Sequence, residues 1–236
     1  MSTNALAFYL DSPMQSWGSS SRFQRRETES FPTKSGVIGL IAASMGIDKH
    51  ASDEKLQLKP LSVLQFTVFR LDKDSGSMLR LSDFHTVGGG YDRHDPKEKK
   101  HVCRTADGKV CANAVITRRS YLTDTRFIAV LEGDAPVLAS CATALENPVW
   151  GIWFGRKCCI PATPLSPTLA PTVPEAVQAL AKLLGFAKIN PQSLEGQNQT
   201  DDDGSWFQAD HPISFGTREF QSRPVSRIIP DDKPKA

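Results

Sequence analysis

The hydrophobic and polar positions of the first third of the chain predict a strand, a helix and a second strand. Ala5 to Leu10 is a compact apolar run that ends at a turn-forming Asp-Ser-Pro, which is typical of a buried strand. Thr33 to Gly46 is apolar, contains small residues and is too long for a strand, and Gly46 suits the end of a helix. Leu61 to Leu71 alternates in part and carries Val and Phe, which favours a second strand.

In the middle of the chain, further strands and a helix are predicted on either side of an irregular, charged insertion. Met78 to Phe84 is predicted to pair as a third strand, and strand-like residues resume over Val115 to Leu131. Pro136 to Glu146 has helical spacing and stops at an Asn-Pro pair. With an edge strand after the next loop, the order matches a ferredoxin-like α+β fold, in which two helices back a four-stranded antiparallel sheet.

The last third differs in composition from the rest. Five prolines lie between Pro161 and Pro174, and a short helix is predicted over Glu175 to Leu184. The polar, acidic segment Gln197 to Ser205 is predicted to be a mobile loop. We therefore expect a core over residues 1–160, with an insertion at about 85–117, and a small C-terminal subdomain over 161–236 that ends in a flexible tail.

Composition restricts the class of protein. The chain has 236 residues, of which 39% are hydrophobic and 23% charged, so it can bury a core. Its five cysteines are odd in number and irregularly spaced, which is a poor disulfide framework and favours a reducing cytoplasm. There is no basic leader and no apolar run of the roughly 18 residues that a bilayer span needs. We expect neither a secreted nor a membrane protein.

Positive charge is concentrated in one segment of this near-neutral chain. Between Arg93 and Arg119 there are eight basic and three acidic residues, a local charge of +5 in a chain whose net charge is +2. Such a segment can bind a polyanion, although a solvated, lysine-rich loop has the same composition. A second basic patch is partly offset by Glu27 and Glu29 and comprises Arg22, Arg25, Arg26 and Lys34.

Two short motifs suggest contacts with a nucleic acid. Pro32 to Gly36 resembles part of a phosphate-binding loop but lacks the GxxxxGK order, so an NTPase is not favoured. Lys34 and the free N–H groups of a helix start can still hold a phosphate, unless this is a plain helix cap with an exposed lysine. Trp150 to Lys157 combines aromatic rings with a basic pair, as single-stranded RNA recognition requires, although core aromatics beside surface cations would look the same.

The residues that could support catalysis or bind a metal give weaker patterns. His101, Cys103 and Cys111 match no common zinc spacing, so no metal or cofactor is predicted. A histidine could act as a general base in RNA cleavage, but no spacing selects one of His50, His85, His94, His101 and His211.

Five segments occur in an order that resembles a known family. They are Leu10–Gly18, Phe31–Leu40, Ser82–Val87, Arg118–Leu122 and Phe154–Cys158. Together they resemble the fifth Cas family, the CasD subunits of the CRISPR Cascade complex, and most closely its type I-E branch. The resemblance covers Ala5 to about Pro164, and Phe215 to Phe220 extends it to the C-terminal part.

This resemblance implies a fold and a role. The expected fold is a ferredoxin-like, RRM-like (RAMP) core with an inserted basic β-hairpin thumb and a small C-terminal subdomain. The expected role is that of a non-catalytic subunit in antiviral defence, which holds the 5′ handle of the crRNA and caps the backbone filament. Its expected partners are the crRNA, the Cascade backbone and large subunits, and target DNA through the complex.

The motifs and the second basic patch give a set of predicted RNA-binding residues, with no catalytic residue among them. They are Gln15, Trp17, Arg22, Arg25, Arg26, Lys34, Ser35, His85, Arg118, Arg119, Arg156 and Lys157.

Two alternative functions remain. The related subunit of the type I-C branch is a metal-independent endoribonuclease that processes pre-crRNA, and the groups that could act here are Tyr91, His85, His94 and Lys100. A DNA-binding module would instead use the thumb, in which case substitution of Lys97, Lys99 and Lys100 should weaken duplex binding more than handle binding.

Overall fold

The computed structural model describes residues 4–18, 24–71, 79–88, 95, 104, 108–109, 114–186, 189–200 and 204–230. Within these ranges the chain forms four α-helices and nine strands. The helices are α1 Lys34–Met45, α2 Glu54–Ser62, α3 Ala135–Glu146 and α4 Val173–Leu183. The strands are β1 Asn4–Gln15, β2 Arg25–Arg26, β3 Gln65–Arg70, β4 Arg80–Val87, β5 Val115–Gly133, β6 Thr168–Ala170, β7 Gly196–Gln199, β8 Trp206–Ser214 and β9 Glu219–Ile228.

The predicted first and second helices are confirmed as α1 and α3. The Thr33 side chain caps the start of α1 by accepting a hydrogen bond from the Gly36 N–H, and Gly46 ends the helix in a left-handed conformation at φ 74°. The predicted strand over Leu61 to Leu71 begins too early, because α2 continues through Ser62. Helix α2 was not predicted, although its buried Leu58 and Leu61 have helical spacing.

The sheet is larger than the four strands that the sequence predicts. Its order is β6-β1-β5-β3-β7-β9-β8, and β2 and β4 pair with β5 outside this path. The proline-rich segment contributes β6, which pairs with β1, and the predicted mobile loop overlaps β7, which pairs with β3 and β9. Residues on both sides of position 160 therefore belong to one sheet.

Strand β5 connects the core to a protruding ribbon. Its C-terminal half pairs with β1 and β3, while its N-terminal half pairs with β4 on one side and β2 on the other. The strand continues through Leu122 to Asp124, where Asp124 has φ 50°. Most of the basic insertion between β4 and β5 lies outside the described residues.

Helices cover both faces of the central sheet. Leu6, Phe8 and Leu10 of β1 pack into the core that includes residues of α1, α2 and α3. Ala5, Ala7 and Tyr9 face the opposite way, into a second core that includes α4. This double burial explains why β1 is continuously apolar rather than alternating. Among the described helices, none is long and apolar enough to cross a membrane.

The turn between β8 and β9 is anchored to the start of α2. The buried Glu54 carboxylate accepts hydrogen bonds from Ser214 Oγ at 2.5 Å, Phe215 N at 2.7 Å and Gly216 N at 3.3 Å. Burial opposes ionisation of Glu54, but these hydrogen bonds outweigh it and hold its pKa below the ordinary value. The C-terminal hairpin is thereby fixed to the helical layer.

Candidate nucleic-acid interface

The ribbon formed by β2, β5 and β4 presents two rows of side chains. Arg26, Arg119 and Asp83 are paired across the three strands, and so are their neighbours Arg25, Arg118 and Phe84. Since successive strand residues point to opposite sides, the two rows lie on opposite faces. We call the face with Arg26, Arg119 and Asp83 the front face, and the face with Arg25, Arg118 and Phe84 the back face.

A groove on the front face brings together four of the predicted RNA-binding residues: His85, Arg119, Arg156 and Lys157. Arg156 comes from the loop after α3, and its guanidinium lies 4.5 Å from the centre of the Tyr121 ring. It also donates to Ser120 O at 2.9 Å and to Arg26 O at 2.8 Å, so its orientation is fixed. The neighbouring Lys157 is exposed, with Nζ 5.6 Å from the Trp153 ring centre.

Close packing fixes the loop that carries Arg156 and Lys157. Gly155 has φ +92°, and a Cβ atom there would lie 1.7 Å from Ser16 O. Ser16 N donates to Phe154 O at 3.0 Å, and the Trp17 ring stacks on Phe154 with centroids 5.9 Å apart. The loop after β1 and the loop after α3 therefore form one rigid unit beside the groove.

Gln15 and Trp17 support this unit and do not face the groove as RNA contacts. Both side chains are buried. Trp17 Nε1 donates to Gln15 Oε1 at 3.0 Å, and Gln15 Nε2 donates to Leu10 O at 3.2 Å and to Thr125 O at 2.7 Å. Because their polar groups bind other parts of the protein, the sequence prediction of direct RNA contact is corrected for these two residues.

The predicted phosphate site at Lys34 is also corrected. The start of α1 does attract an anion, but that anion is the Asp210 carboxylate, which accepts from Lys34 N at 2.7 Å. The buried Lys34 Nζ donates to Gln199 Oε1 at 2.8 Å and lies 3.5 Å from His211 Nδ1. Burial, together with the nearby Arg223, lowers the pKa of Lys34 to about 7. Asp210 lies 176 positions from Lys34, so no local signal indicates this partner.

Ser35 lies at a second groove, next to the start of α1. Its side chain is half-buried, and the groove is also lined by Arg26, Gly155, Arg156 and Phe215. Arg156 lines both this groove and the front-face groove, and its guanidinium donates to Arg26 O at 2.8 Å.

His85 lies in the front-face groove with an unusual environment. Its side chain is half-buried, and its Nδ1 atom is buried without a hydrogen-bond partner among the described atoms. Arg119 Nε donates to Thr117 Oγ1 at 3.1 Å, and that hydroxyl in turn donates to His85 O at 3.3 Å. The Arg119 side chain is thus held beside His85.

Several predicted residues lie outside the described part of the chain. They are Arg22, Tyr91, His94, Lys97, Lys99, Lys100, His101, Cys103 and Cys111. Within the described ranges, no group of three or more His, Cys, Asp and Glu side chains could hold a metal ion.

Sequence reasoning missed two aromatic residues of the ribbon. Tyr121 supports Arg156, and Phe84 is 62% exposed with the Arg118 guanidinium 4.8 Å from its ring centre. The strand pattern of Arg80 to Val87 contains the signal for Phe84. It places an aromatic residue on a strand that is exposed along most of its length.

The chain matches known proteins along most of its length. The family model for CRISPR-associated protein (Cas_Cas5) matches residues 5–226. The chain is 28% identical to the CRISPR system Cascade subunit CasD of Escherichia coli (strain K12) over 226 residues, covering 92% of each protein. It is also similar to a chain of a solved CRISPR RNA-guided surveillance complex, with a TM-score of 0.69 and 27% identity over 95% of this chain and 89% of the other. A solved Cas protein shares the fold, with a TM-score of 0.61 and 24% identity over 98% of both chains.

Proposed function

Because the chain belongs to the Cas5 family of CRISPR-associated proteins, we propose that it is the CasD-type subunit of a type I Cascade complex and binds the 5′ handle of the crRNA. The similarity to the Escherichia coli CasD subunit and to a chain of a surveillance complex supports this role. Strands β6, β1, β5 and β3, with α1 and α3, correspond in this proposal to the ferredoxin-like core. The ribbon of β4 and β5 is the base of the thumb.

The observation that carries the proposal is the convergence of Arg119, Arg156 and Lys157 on the front-face groove. They come from β5 and from the loop after α3, and the packing around Gly155 fixes the second of these elements. A preoriented guanidinium and a nearby ammonium suit the phosphates of an RNA strand. Asp83 lies in the same groove and offsets part of this charge.

The position of the ribbon supports a capping role. The N-terminal half of β5 extends beyond the strands of the core, and the basic insertion continues from its end. A ribbon that extends beyond the core, and that basic residues follow in the sequence, can contact the RNA where it leaves this subunit for the next one. We therefore propose that the chain closes one end of the backbone filament and acts as a structural subunit.

One observation favours a second function, the metal-independent processing of pre-crRNA. The buried, unpartnered Nδ1 of His85 lies in the same groove as Arg119 and Lys157. A histidine in that position could accept a proton from a 2′-hydroxyl group, while the cations stabilise the developing charge. This function would make His85 a catalytic residue.

The experiment that separates the two functions uses the purified chain and 5′-labelled repeat RNA in EDTA. A native gel and a denaturing gel are run on the same samples. We expect a retarded band with intact RNA, as a handle-binding subunit requires. A discrete cleavage product that disappears in His85→Ala would establish the processing enzyme instead.

A pair of lysine variants tests where the RNA binds. Lys157→Ala removes an exposed ammonium at the front-face groove, and Lys182→Ala removes an exposed ammonium on α4. Both variants lose one positive charge from the surface. We expect weaker RNA binding only for Lys157→Ala, and equal effects of the two variants would contradict the proposed groove.

A further inference from the structure

The back face of the ribbon carries side chains that differ from those of the front face. Its central row is Arg25, Arg118 and Phe84, one residue from each of the three strands. A groove along this row is also lined by Gln24 and Ile116. None of the contacts that fix the front-face groove involves these side chains.

Phe84 is exposed to an extent that is unusual for a large apolar ring. Its relative exposure is 62%, and Ile116 beside it is 49% exposed. The Arg118 guanidinium lies 4.8 Å from the ring centre, which orients both side chains. An exposed, oriented aromatic ring next to cations indicates a binding surface rather than a core position.

The charges of the back face fit a phosphate. Among the described residues, no carboxylate lies within ion-pair distance of Arg25 or Arg118. Glu27, two positions after Arg25, accepts a hydrogen bond from Ser120 Oγ at 2.6 Å. The front row, in contrast, contains Asp83. The back row therefore combines an aromatic ring with two arginines, and the Glu27 carboxylate beside it, at Ser120 on the same face as Arg118, is engaged by the serine hydroxyl.

We propose that the back face is a second RNA contact, at which one unpaired base stacks on Phe84 while Arg25 and Arg118 bind a neighbouring phosphate. This inference rests on the proposed function and specifies which part of the RNA is recognised. Neighbouring strands lie about 4.8 Å apart, so a row across three strands spans about 10 Å, which a base and an adjacent phosphate can bridge. The ligand is a single-stranded segment, because a base in a duplex has no free face for the ring.

The test uses a series of handle RNAs that each contain one abasic position. Dissociation constants are measured for the wild type, Phe84→Ala and Phe84→Trp. In the wild type we expect one position at which loss of the base weakens binding about tenfold. Phe84→Ala should bind the intact RNA about tenfold more weakly and should be insensitive to the base at that position, whereas Phe84→Trp should retain the sensitivity.

Phe207→Ala is the matched control, because Phe207 is a similarly exposed phenylalanine, at 68%, on β8. We expect it to bind all RNAs of the series like the wild type. If Phe84→Ala is as sensitive to the abasic position as the wild type, the stacking site is wrong, and the back face would instead be a surface for a protein partner. That result would not affect the front-face groove, which Lys157→Ala tests separately. A wild type that binds no handle RNA would overturn the proposed function itself.

Discussion

Gly155 determines the position of a loop beside the front-face groove, although it has no side chain of its own. Its φ of +92° and its position against Ser16 O bring the loop after α3 close to the loop after β1. This approach allows Trp17 to stack on Phe154 and sets the place of Arg156. In the proposed function, the residues that bind RNA and the residues that position them are therefore different sets.

We predict that Gly155→Ala weakens both folding and RNA binding. A Cβ atom would meet Ser16 O at 1.7 Å, and the positive φ strains any other residue, so the free energy of unfolding should fall by about 2 kcal/mol or more. Gly185→Ala is the control, because Gly185 has φ +73° and, apart from its chain neighbours, no atom of the described residues lies within 4 Å of its Cβ position. Urea unfolding and RNA titration measure the two effects.

The control should lose about 1 kcal/mol of stability and keep its RNA affinity, since only the backbone conformation is penalised. Equal loss of RNA affinity in both glycine variants would contradict a positioning role for Gly155.

At the scale of elements, the start of α1 is fixed to the C-terminal strands by a buried polar cluster. Asp210 of β8 accepts from Lys34 N and also pairs with Arg223 of β9, at 2.6 Å. Gln199 of β7 accepts from Lys34 Nζ. The C-terminal strands thus bind the helix through ionisable groups that have little access to water.

This cluster predicts that stability rises with pH in the neutral to alkaline range. Lys34 has a pKa of about 7 in the folded protein and an ordinary value of 10.5. Between these values the unfolded state holds a proton that the folded state has released, so unfolding becomes harder as pH rises, by up to about 1.4 kcal/mol per pH unit. Burial also lowers the pKa of His211, which adds a dependence of the same sign below 6.5.

Urea unfolding between pH 7 and 9 measures this effect, and Lys34→Met is the informative variant. It removes the titrating group and keeps an unbranched side chain of similar length. We expect the pH dependence of its free energy of unfolding to be smaller than that of the wild type over this range. The same slope in both proteins would show that Lys34 does not titrate in the folded state as described.

At the scale of the molecule, sequence patterns within single elements predicted the helices of the core but did not predict the added strands β2 and β7. Helix α1 is apolar and ends at Gly46, and α3 has helical spacing and an Asn-Pro stop, so both could be recognised within their own sequences. Strand β7, with the sequence Gly-Gln-Asn-Gln, has no such signal and forms because β3 and β9 lie on either side of it. Strand β2 is two residues long and exists only through its pairing with β5.

In the candidate site, too, features with a local sequence signal were predicted and features that depend on distant residues were not. Short motifs indicated the exposed cations Arg118 and Lys157, because such residues can be recognised one at a time. The burial of Trp17 and Lys34 depends on Phe154 and Asp210, which are distant in the sequence. Motif membership therefore indicated one region of the fold but did not separate residues that are exposed at the grooves from residues that hold the site together.

The distribution of charge leads to the last prediction, on salt dependence. The net charge is only +2, so RNA affinity should depend on where the cations lie rather than on their total number. Arg119→Gln with Lys157→Gln removes two cations from the front-face groove, and Lys59→Gln with Lys182→Gln removes two exposed cations from α2 and α4. Each neutralised phosphate contributes about 0.7 to the slope of log affinity against log salt for single strands, so the first pair should reduce the slope by about 1.4. The second pair should leave it unchanged, and equal slopes in the two double variants would mean that net charge, not the groove, governs binding.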